Sequence, residues 1–283
     1  MPKNLLIGLL AVSAMAGAAD VNFLRRNLSD VPPAPGELTA GANGASYKPL
    51  FGAGDRDADQ LKSVVRYGEL TLAPGASSAS VEYPAEEQIY FVVEGSGTLL
   101  YGTERSPVRM NDFAYLPAGV RHGAANSSGG PLRVIVMGYR IPRDAKVQPT
   151  PRLMVASADD VALQVLGQHG PTSQFKLLMG LTSSKRDRLA AAYVMDSLFI
   201  MDFAPGGTNI PHHHPAEEEI YLLLRGRGEM VAGLDAEGRE IRHPVTEGAA
   251  FFFKPGTQVG YYSGAREGQP HDLILAARSQ VRP

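Results

Sequence analysis

The chain has 283 residues, a formal net charge of −2, and neither cysteine nor tryptophan. This charge gives no indication of nucleic acid or an anionic membrane as a partner. The lack of cysteine excludes disulfides, cysteine-ligated zinc and a thiol nucleophile. The 31 glycines and 21 prolines between short apolar runs are typical of an all-β chain with many turns, in one large or two medium domains.

The first 18 residues have the three regions of a secretory signal peptide. Lys3 precedes a short apolar run over residues 5–17, and residues 16–18 resemble an A-x-A cleavage site. The run is too short to cross a bilayer, and no other stretch is long and apolar enough. We therefore expect export to the periplasm or the cell exterior after cleavage. The alternative is a terminal segment that packs on the folded protein.

The rest of the chain divides into four segments. Residues 19–62 form a Pro/Gly-rich N-terminal extension, residues 63–141 a first barrel, residues 142–172 a connector and residues 173–283 a second barrel. Helix content should be low because few stretches repeat every 3.6 residues, although a short helix is expected at Ala158. Strands are predicted over residues 90–93, 98–101, 113–116, 132–136, 198–203, 220–224, 250–253 and 272–275.

Residues 206–228 contain two histidines and a glutamate at a spacing that suits a metal site. His212 and His214 are two residues apart, so in a strand both side chains point to the same face. Glu219 follows five residues later and can return to that site after a short bend. Two imidazoles and one carboxylate suit Fe, Mn, Zn, Ni or Cu.

The same segment resembles the first motif of the cupin superfamily, G-x5-H-x-H-x4-E-x6-G. Every fixed position matches: Gly206, His212, His214, Glu219 and Gly226. The resemblance implies an all-β fold built from jelly-roll barrels, with these two histidines and the glutamate as metal ligands.

An internal duplication predicts two such barrels in tandem, a bicupin with little helix. Residues 84–90 resemble residues 215–221 at an offset of 131. The motif glycines repeat at the same offset: Gly75 and Gly206, Gly95 and Gly226, Gly97 and Gly228. A repeat of this length is typical of a duplicated structural unit.

The first copy has lost the ligand set. Val81, Tyr83 and Gln88 stand where the second copy has its two histidines and its glutamate. His122 occupies a ligand-like position in a segment resembling the second cupin motif, but without companions it is more typical of a hydrogen-bonded residue at a barrel mouth. The first barrel is therefore predicted to bind no metal.

A fourth ligand for the second barrel is expected from the segment that corresponds to the second motif. Val259 stands opposite His122 in the alignment of the copies, and Gln258 precedes it. Either the amide oxygen of Gln258 or a water molecule would complete the shell. A neutral oxygen favours Mn or Fe(II) over Cu. We expect one divalent transition metal, Mn first, then Fe(II), Zn or Ni.

The order of metal-free barrel, connector and metal-bearing barrel is similar to the (S)-ureidoglycine aminohydrolases, bicupins that bind Mn and release ammonia from ureidoglycine. The resemblance covers most of the chain after residue 60 and implies His214 and Gln258 as ligands. That family has glutamate at the position of His212 and histidine near that of Glu219.

Two further departures concern the substrate. Met230 and Ala277 stand where the aminohydrolases present a tyrosine and a lysine, and Arg278 is beside the second position. The lost phenol and amine would have oriented a small polar substrate. The scaffold resemblance therefore carries over better than the activity.

These observations favour an enzyme that uses its metal to act on a small carboxylate- or carbonyl-bearing metabolite. The alternatives are an aminohydrolase, an Fe(II) dioxygenase, or a non-catalytic exported bicupin that captures a metabolite or metal. No catalytic residue and no organic cofactor are assigned, and a homo-oligomer is expected. The substrate pocket is predicted to include Tyr221, Met230, Phe251, Phe253 and Tyr261.

Overall fold

The computed structural model describes residues 22–148, 150–167 and 169–281, so the predicted signal peptide lies outside the described residues. These ranges contain twenty strands and three single-turn 3-10 helices, Glu37–Thr39, Ala58–Gln60 and Ala158–Asp160. The all-β class with little helix is confirmed, and the helix expected at Ala158 is one 3-10 turn. No helix within these ranges has the length and apolar character needed to span a membrane.

The first barrel pairs a six-stranded sheet with a three-stranded sheet. The first ten strands of the chain, of which all but β1 belong to this barrel, are β1 (Phe23–Asn27), β2 (Ala45–Gly52), β3 (Val64–Leu72), β4 (Glu86–Glu94), β5 (Ser96–Tyr101), β6 (Glu104–Arg109), β7 (Asp112–Leu116), β8 (His122–Ala125), β9 (Leu132–Arg140) and β10 (Met154–Ser157). The larger sheet has the order β10-β7-β4-β9-β3-β2 and the smaller one β6-β5-β8.

The second barrel repeats this plan with a seven-stranded and a four-stranded sheet. Its own strands are β11 (Ser173–Leu181), β12 (Leu189–Ala192), β13 (Met195–Phe203), β14 (His212–His213), β15 (Glu217–Arg225), β16 (Arg227–Leu234), β17 (Glu240–Thr246), β18 (Ala249–Phe253), β19 (Gln258–Ser263) and β20 (Asp272–Gln280). The sheet orders are β1-β18-β15-β20-β13-β11-β12 and β14-β19-β16-β17. All eight predicted strands lie within observed strands.

The segments expected to flank the barrels contribute strands to them. β1, from the N-terminal extension, pairs with β18 of the second barrel, with Phe23 opposite Phe253. β10, from the connector, pairs with β7 of the first barrel, with Met154 opposite Tyr115. The extension also supplies β2 to the first barrel. Each flanking segment therefore covers a sheet edge that would otherwise expose unpaired backbone groups.

The central strands are apolar on both faces because the two large sheets pack against each other. In β15, Tyr221 and Leu223 point into the second barrel, whereas Ile220 and Leu222 join a core shared by both barrels. Successive side chains alternate between faces, so a strand buried on both sides reads as an unbroken apolar run. The interior of the first barrel forms a third core.

Candidate functional site

The structure brings the two motif histidines and the glutamate together at one end of the second barrel. His212 lies in β14, His214 follows that strand, and Glu219 lies in β15. The Nε2 atoms of the two histidines are 3.0 Å apart. His214 Nε2 is 3.6 Å from Glu219 Oε2. The three side chains therefore converge as the motif predicts.

The ring of His212 is oriented by the backbone of Ile210. The Nδ1 atom of His212 is 3.0 Å from the carbonyl oxygen of Ile210. A carbonyl oxygen only accepts, so Nδ1–H donates and the Nε2 lone pair is left to face His214. Ile210 has a φ of 53°, a conformation that β-branched residues rarely adopt and that costs on the order of 1–3 kcal/mol.

Glu219 carries a buried carboxyl oxygen that needs a cation or a proton. The residue is 2 % exposed, and its Oε2 atom has no hydrogen-bond partner among the described residues. Burial raises the pKa of Glu219 to about 8, since a charged carboxylate loses its water there. An unpartnered buried oxygen beside two imidazoles fits the donor chemistry of a transition-metal site.

Arg278 adds a positive charge directly beside the histidines. Its Nη1 atom is 3.3 Å from His214 Nδ1, and its Nε atom is 3.2 Å from Asp196 Oδ1. The same Nη1 atom is 3.4 Å from His214 Nε2, so the guanidinium lies against the ring edge between the two nitrogens. Because His212 Nε2 is an acceptor, the 3.0 Å contact between the two Nε2 atoms places the proton of the neutral His214 ring on Nε2. Burial lowers the pKa of His214 to about 3, and the charge of Arg278 acts in the same direction.

Within the described ranges, no three His, Asp or Glu side chains are already arranged around one point for a metal ion. The 3.0 Å separation of the histidine Nε2 atoms nevertheless matches two metal–nitrogen bonds of about 2.1 Å at a right angle. His214 can bind a metal through Nε2 only after the ring proton has moved from Nε2 to Nδ1. A protonated Nδ1 cannot accept from Arg278, so the guanidinium must then move away. The residues fit a metal once this one contact is exchanged.

A small cavity of about 70 Å³ opens beside these groups. It is lined by Leu166, His169, Phe175, Leu177, Arg186, Ser197, Phe199, Met201, Asn209, His212, His214, Glu219, Tyr221 and Arg278. Of the residues predicted for the substrate pocket, only Tyr221 lines it. The other four, Met230, Phe251, Phe253 and Tyr261, instead fill the barrel core, where each is at most 1 % exposed.

The structure does not bring Gln258 to the histidines. Gln258 pairs with His213, and Val259 pairs with His212. Opposite residues on antiparallel strands point to the same face, so Gln258 lies on the side of the exposed His213. The register contains no one-residue shift that would turn its amide inward.

One histidine of the cavity, His169, lies outside the motifs of the sequence. His169, from the connector, packs edge-on against His212 with ring centroids 4.9 Å apart. Its Nδ1 atom is 2.9 Å from the carbonyl oxygen of Asn209, so Nδ1–H donates there and Nε2 stays unprotonated in the neutral ring. Asn209 Nδ2 also donates to Tyr221 Oη at 3.3 Å. No spacing signal marks His169, because its contact with His212 is long-range.

A profile of the family described as cupin domain matches residues 68–138 and 199–273, together just over half of the chain. The chain belongs to the cupin family. Both matched ranges fall on barrels of the structure, so the predicted tandem arrangement of two cupin domains is confirmed.

Curated relatives match this cupin over a limited length. Germin-like protein subfamily 2 member 4 of Arabidopsis thaliana is 32 % identical over 85 residues, which is 30 % of this chain and 38 % of the relative. Germin-like protein 1-1 of Oryza sativa subsp. japonica is 34 % identical over 86 residues, which is again 30 % of this chain and 38 % of the relative. The chain therefore spans about two fifths of the length of these relatives.

Solved structures share the fold over nearly the whole cupin. A putative glyoxylate induced protein from Pseudomonas aeruginosa superposes with a TM-score of 0.70 at 17 % identity, covering 98 % of this chain and 94 % of that one. Protein YlbA from E. coli superposes with a TM-score of 0.68 at 16 % identity, covering 95 % of this chain and 96 % of that one. Oxalate decarboxylase from Lactobacillus farciminis, in a formate complex, superposes with a TM-score of 0.66 at 13 % identity, covering 93 % of this chain and 87 % of that one.

The backbone conformation and close packing at the end of the first cupin motif require a glycine in each barrel. Gly226 has a φ of 108°, and a Cβ atom there would lie 1.9 Å from Asp272 Oδ1. The equivalent Gly95 has a φ of 80°, and a Cβ atom would lie 2.1 Å from the carbonyl oxygen of Pro131. Only glycine fits these turns, which set the direction of the strand leaving the site.

Proposed function

We propose that this cupin is a metal-dependent enzyme that acts on a small carboxylate- or carbonyl-bearing metabolite in its second barrel. One observation carries the proposal. Glu219, whose buried Oε2 atom has no hydrogen-bond partner among the described residues, lines one cavity with two imidazoles and the guanidinium of Arg278. Carboxylate and imidazoles supply metal ligands, and the arginine supplies a site for an anion.

His212, His214 and Glu219 would hold one divalent transition metal, with water completing the shell. Mn is our first candidate because a carboxylate and water oxygens favour a harder ion, followed by Fe(II), Zn or Ni. His212 favours ligation because its Nδ1–H donates to Ile210, 3.0 Å away, which leaves Nε2 as the ligand atom.

The bound metal would supply a Lewis acid for a substrate oxygen. Arg278 would bind the substrate carboxylate, since its contact with His214 Nδ1 ends when that atom takes the proton. Asp196, 3.2 Å from Arg278 Nε, holds the arginine in place during this exchange. Phe175 and Phe199 form an apolar wall of the same cavity, which strengthens the charge–charge contacts beside it.

His169 is our candidate for the group that accepts a proton from the substrate. Its Nδ1–H is held by the carbonyl of Asn209 at 2.9 Å, so Nε2 carries the lone pair in the neutral ring. It lines the cavity without belonging to the proposed ligand set. The cavity of about 70 Å³ suits a small substrate.

Ammonia release from ureidoglycine is a second candidate, favoured by one observation. The side chain of Arg278 enters the cavity, whereas Ala277 faces the core between the barrels. A cation is thus present near the place where the aminohydrolases have a lysine. Fe(II) dioxygenation is a third candidate, because two histidines and one carboxylate are the ligands of many non-haem iron oxygenases.

Metal analysis of the purified full chain tests this function. After incubation with Mn²⁺ and dialysis, we expect one ion per wild-type chain and almost none in His214→Ala. His213→Ala is the matched control, because that side chain is exposed and one residue away, and it should keep its metal. Equal metal content in wild type and His214→Ala would refute the site. If the metal-loaded chain turns over none of a series of small carboxylates, the protein is a non-catalytic binding protein and not an enzyme of this class.

A further inference from the structure

One row of directly opposite residues crosses four strands of the larger sheet of the second barrel at the level of the cavity. Glu219 of β15 pairs with Arg278 of β20, and Arg278 pairs with Ser197 of β13. Ser197 in turn pairs with Gly180 of β11. Opposite residues point to the same face of a sheet, and the first three residues line the cavity. The row therefore forms one wall of the candidate site, and it ends at a residue without a side chain.

The loop between β11 and β12, residues 182–188, occupies the space that a side chain at Gly180 would fill. A Cβ atom at Gly180 would lie 2.3 Å from Asp187 Oδ2 and 3.2 Å from Ser184 Cβ. Ser184 Oγ donates to the same oxygen of Asp187, whose side chain is 1 % exposed. The glycine thus allows the loop to pack against the end of the row, with Asp187 as the buried residue of the contact.

The packed loop brings a second arginine to the cavity. Arg186 precedes the buried Asp187 and lines the cavity together with Arg278. The Nη2 atom of Arg186 donates to Ser197 Oγ at 3.2 Å, and Ser197 is the cross-strand partner of Arg278. Two guanidinium groups therefore reach the same cavity, one from the sheet and one from the loop.

The guanidinium of Arg186 has hydrogen-bonding capacity left for a ligand. Its one ion pair among the described residues is with Asp187, whose Oδ2 atom is 3.6 Å from Nε. The contact of Nη2 is with an uncharged hydroxyl group. The side chain is 50 % exposed, so a solute can reach it from solvent. A guanidinium has five N–H donors in a planar fork that matches the two oxygens of a carboxylate.

The two arginines meet the row at different distances from the proposed metal ligands. Arg278 pairs directly with Glu219, and its Nη1 atom is 3.3 Å from His214 Nδ1. Arg186 contacts the row at Ser197, one strand farther from Glu219. The cavity thus presents one cation beside the ligand set and a second cation farther along its wall, an arrangement that suits a solute with two separate anionic groups.

We infer that Arg186 is a specificity-determining residue of the second barrel, which selects substrates that carry a second anionic group. One carboxylate or carbonyl group of the substrate lies beside the metal ligands and Arg278, and the second anionic group binds the guanidinium of Arg186. This inference rests on the function proposed above, and it narrows the substrate class from small carboxylates to small dianions.

Calorimetric titration of the Mn-loaded full-length protein with malonate and, separately, with malonamate tests this role. Malonamate has nearly the same shape, but a neutral amide replaces one carboxylate. Chelation of the metal also favours malonate, so the decisive quantity is the ratio of the two Kd values in each variant relative to wild type. Arg186→Gln should lower the preference for malonate about tenfold, because one charge-assisted contact is lost, and should change the Kd of malonamate far less.

Arg188→Gln is the matched control. Arg188 is an exposed arginine of the same loop that does not line the cavity, so its replacement should keep the wild-type ratio. Arg186→Lys retains the charge without the planar fork and should recover part of the preference for malonate. A purely structural role of Arg186 in the loop would not change the ratio of the two ligands.

The metal content of each variant is measured in parallel, which separates two kinds of failure. A wild-type chain without metal would refute the proposed function and this role together. A wild-type ratio in metal-loaded Arg186→Gln would refute the role of Arg186 alone. If Arg186→Gln fails to fold, a crystal structure of Mn-loaded wild type with malonate decides. A carboxylate within hydrogen-bond distance of Arg186 supports the role, and a structure without that contact refutes it.

Discussion

Glu87 and Glu218 stand at equivalent positions of the two barrels, and each carboxylate binds the backbone of the other barrel. Glu218 accepts the N–H groups of residues 62–64 at 2.6, 2.8 and 3.1 Å. Glu87 accepts those of residues 193–195 at 2.7, 2.9 and 2.9 Å. Acceptors and donors both repeat at the offset of the duplication, 218 − 87 = 131 and 193 − 62 = 131, so the barrels are joined by a reciprocal pair of contacts.

Glu218→Ala should destabilise the protein by about 3 kcal/mol or more, because it leaves three backbone donors at the barrel interface without an acceptor. Urea unfolding followed by circular dichroism measures the change. Glu217→Ala is the control, since Glu217 is the adjacent, partly exposed residue, and it should shift the midpoint little. Equal midpoints for the two variants would mean that the contact contributes nothing to stability.

The first barrel should bind no transition metal. Val81, Tyr83 and Gln88 replace the ligand set there, and His122 is flanked by tyrosine rings. Native mass spectrometry of Mn-loaded protein should therefore show one ion per chain, and His212→Ala/His214→Ala should show none. One ion retained by the double variant would contradict this expectation.

Arg278→Gln should weaken the binding of oxalate, used as a small dicarboxylate probe, to the Mn-loaded protein. A charge-assisted hydrogen bond contributes about 1.5–3 kcal/mol, so the Kd should rise about tenfold to one-hundredfold. Calorimetric titration measures the Kd, and metal content is determined in parallel. Arg242→Gln, which removes an arginine paired with Glu240 on the exposed face, should bind oxalate as wild type does. An unchanged Kd for oxalate in Arg278→Gln would show that this arginine does not bind the carboxylate.

Ureidoglycine should be a poor substrate of the Mn-loaded protein. Met230 is 0 % exposed in the barrel core, and Tyr221 Oη already accepts from Asn209 at 3.3 Å. Among the described cavity residues the only phenol is that of Tyr221, which stands at a different position from the phenol of the aminohydrolases and is held by the Asn209 amide. Ammonia release measured over time should remain far below a turnover of about 10 per second. A turnover near that value would make ureidoglycine hydrolysis the function.

The mature protein should begin near Ala19 if residues 1–18 are a cleaved leader. Intact mass spectrometry of protein from the native host, with fractionation of the culture, measures both the N-terminus and the compartment. A chain that retains Met1 in the cytoplasmic fraction would refute export.

The sequence by itself determined the strands, the duplication and the convergence of three side chains. These depend on local rules: alternation places His212 and His214 on one face, and a constant offset of 131 marks repeated units. The strands over residues 220–224 and 250–253 were predictable because each is a short apolar run between turns.

The tertiary structure decided which other residues join the site. Gln258 is adjacent in sequence to the position opposite His212, but the β14–β19 register places it beside His213, and a one-residue difference reverses the face. Arg278 enters the cavity because it pairs with Glu219 across β15 and β20, and His169 arrives from the connector by a long-range contact with His212. Cross-strand register and long-range packing fix these positions, and neither has a periodic signature in the chain.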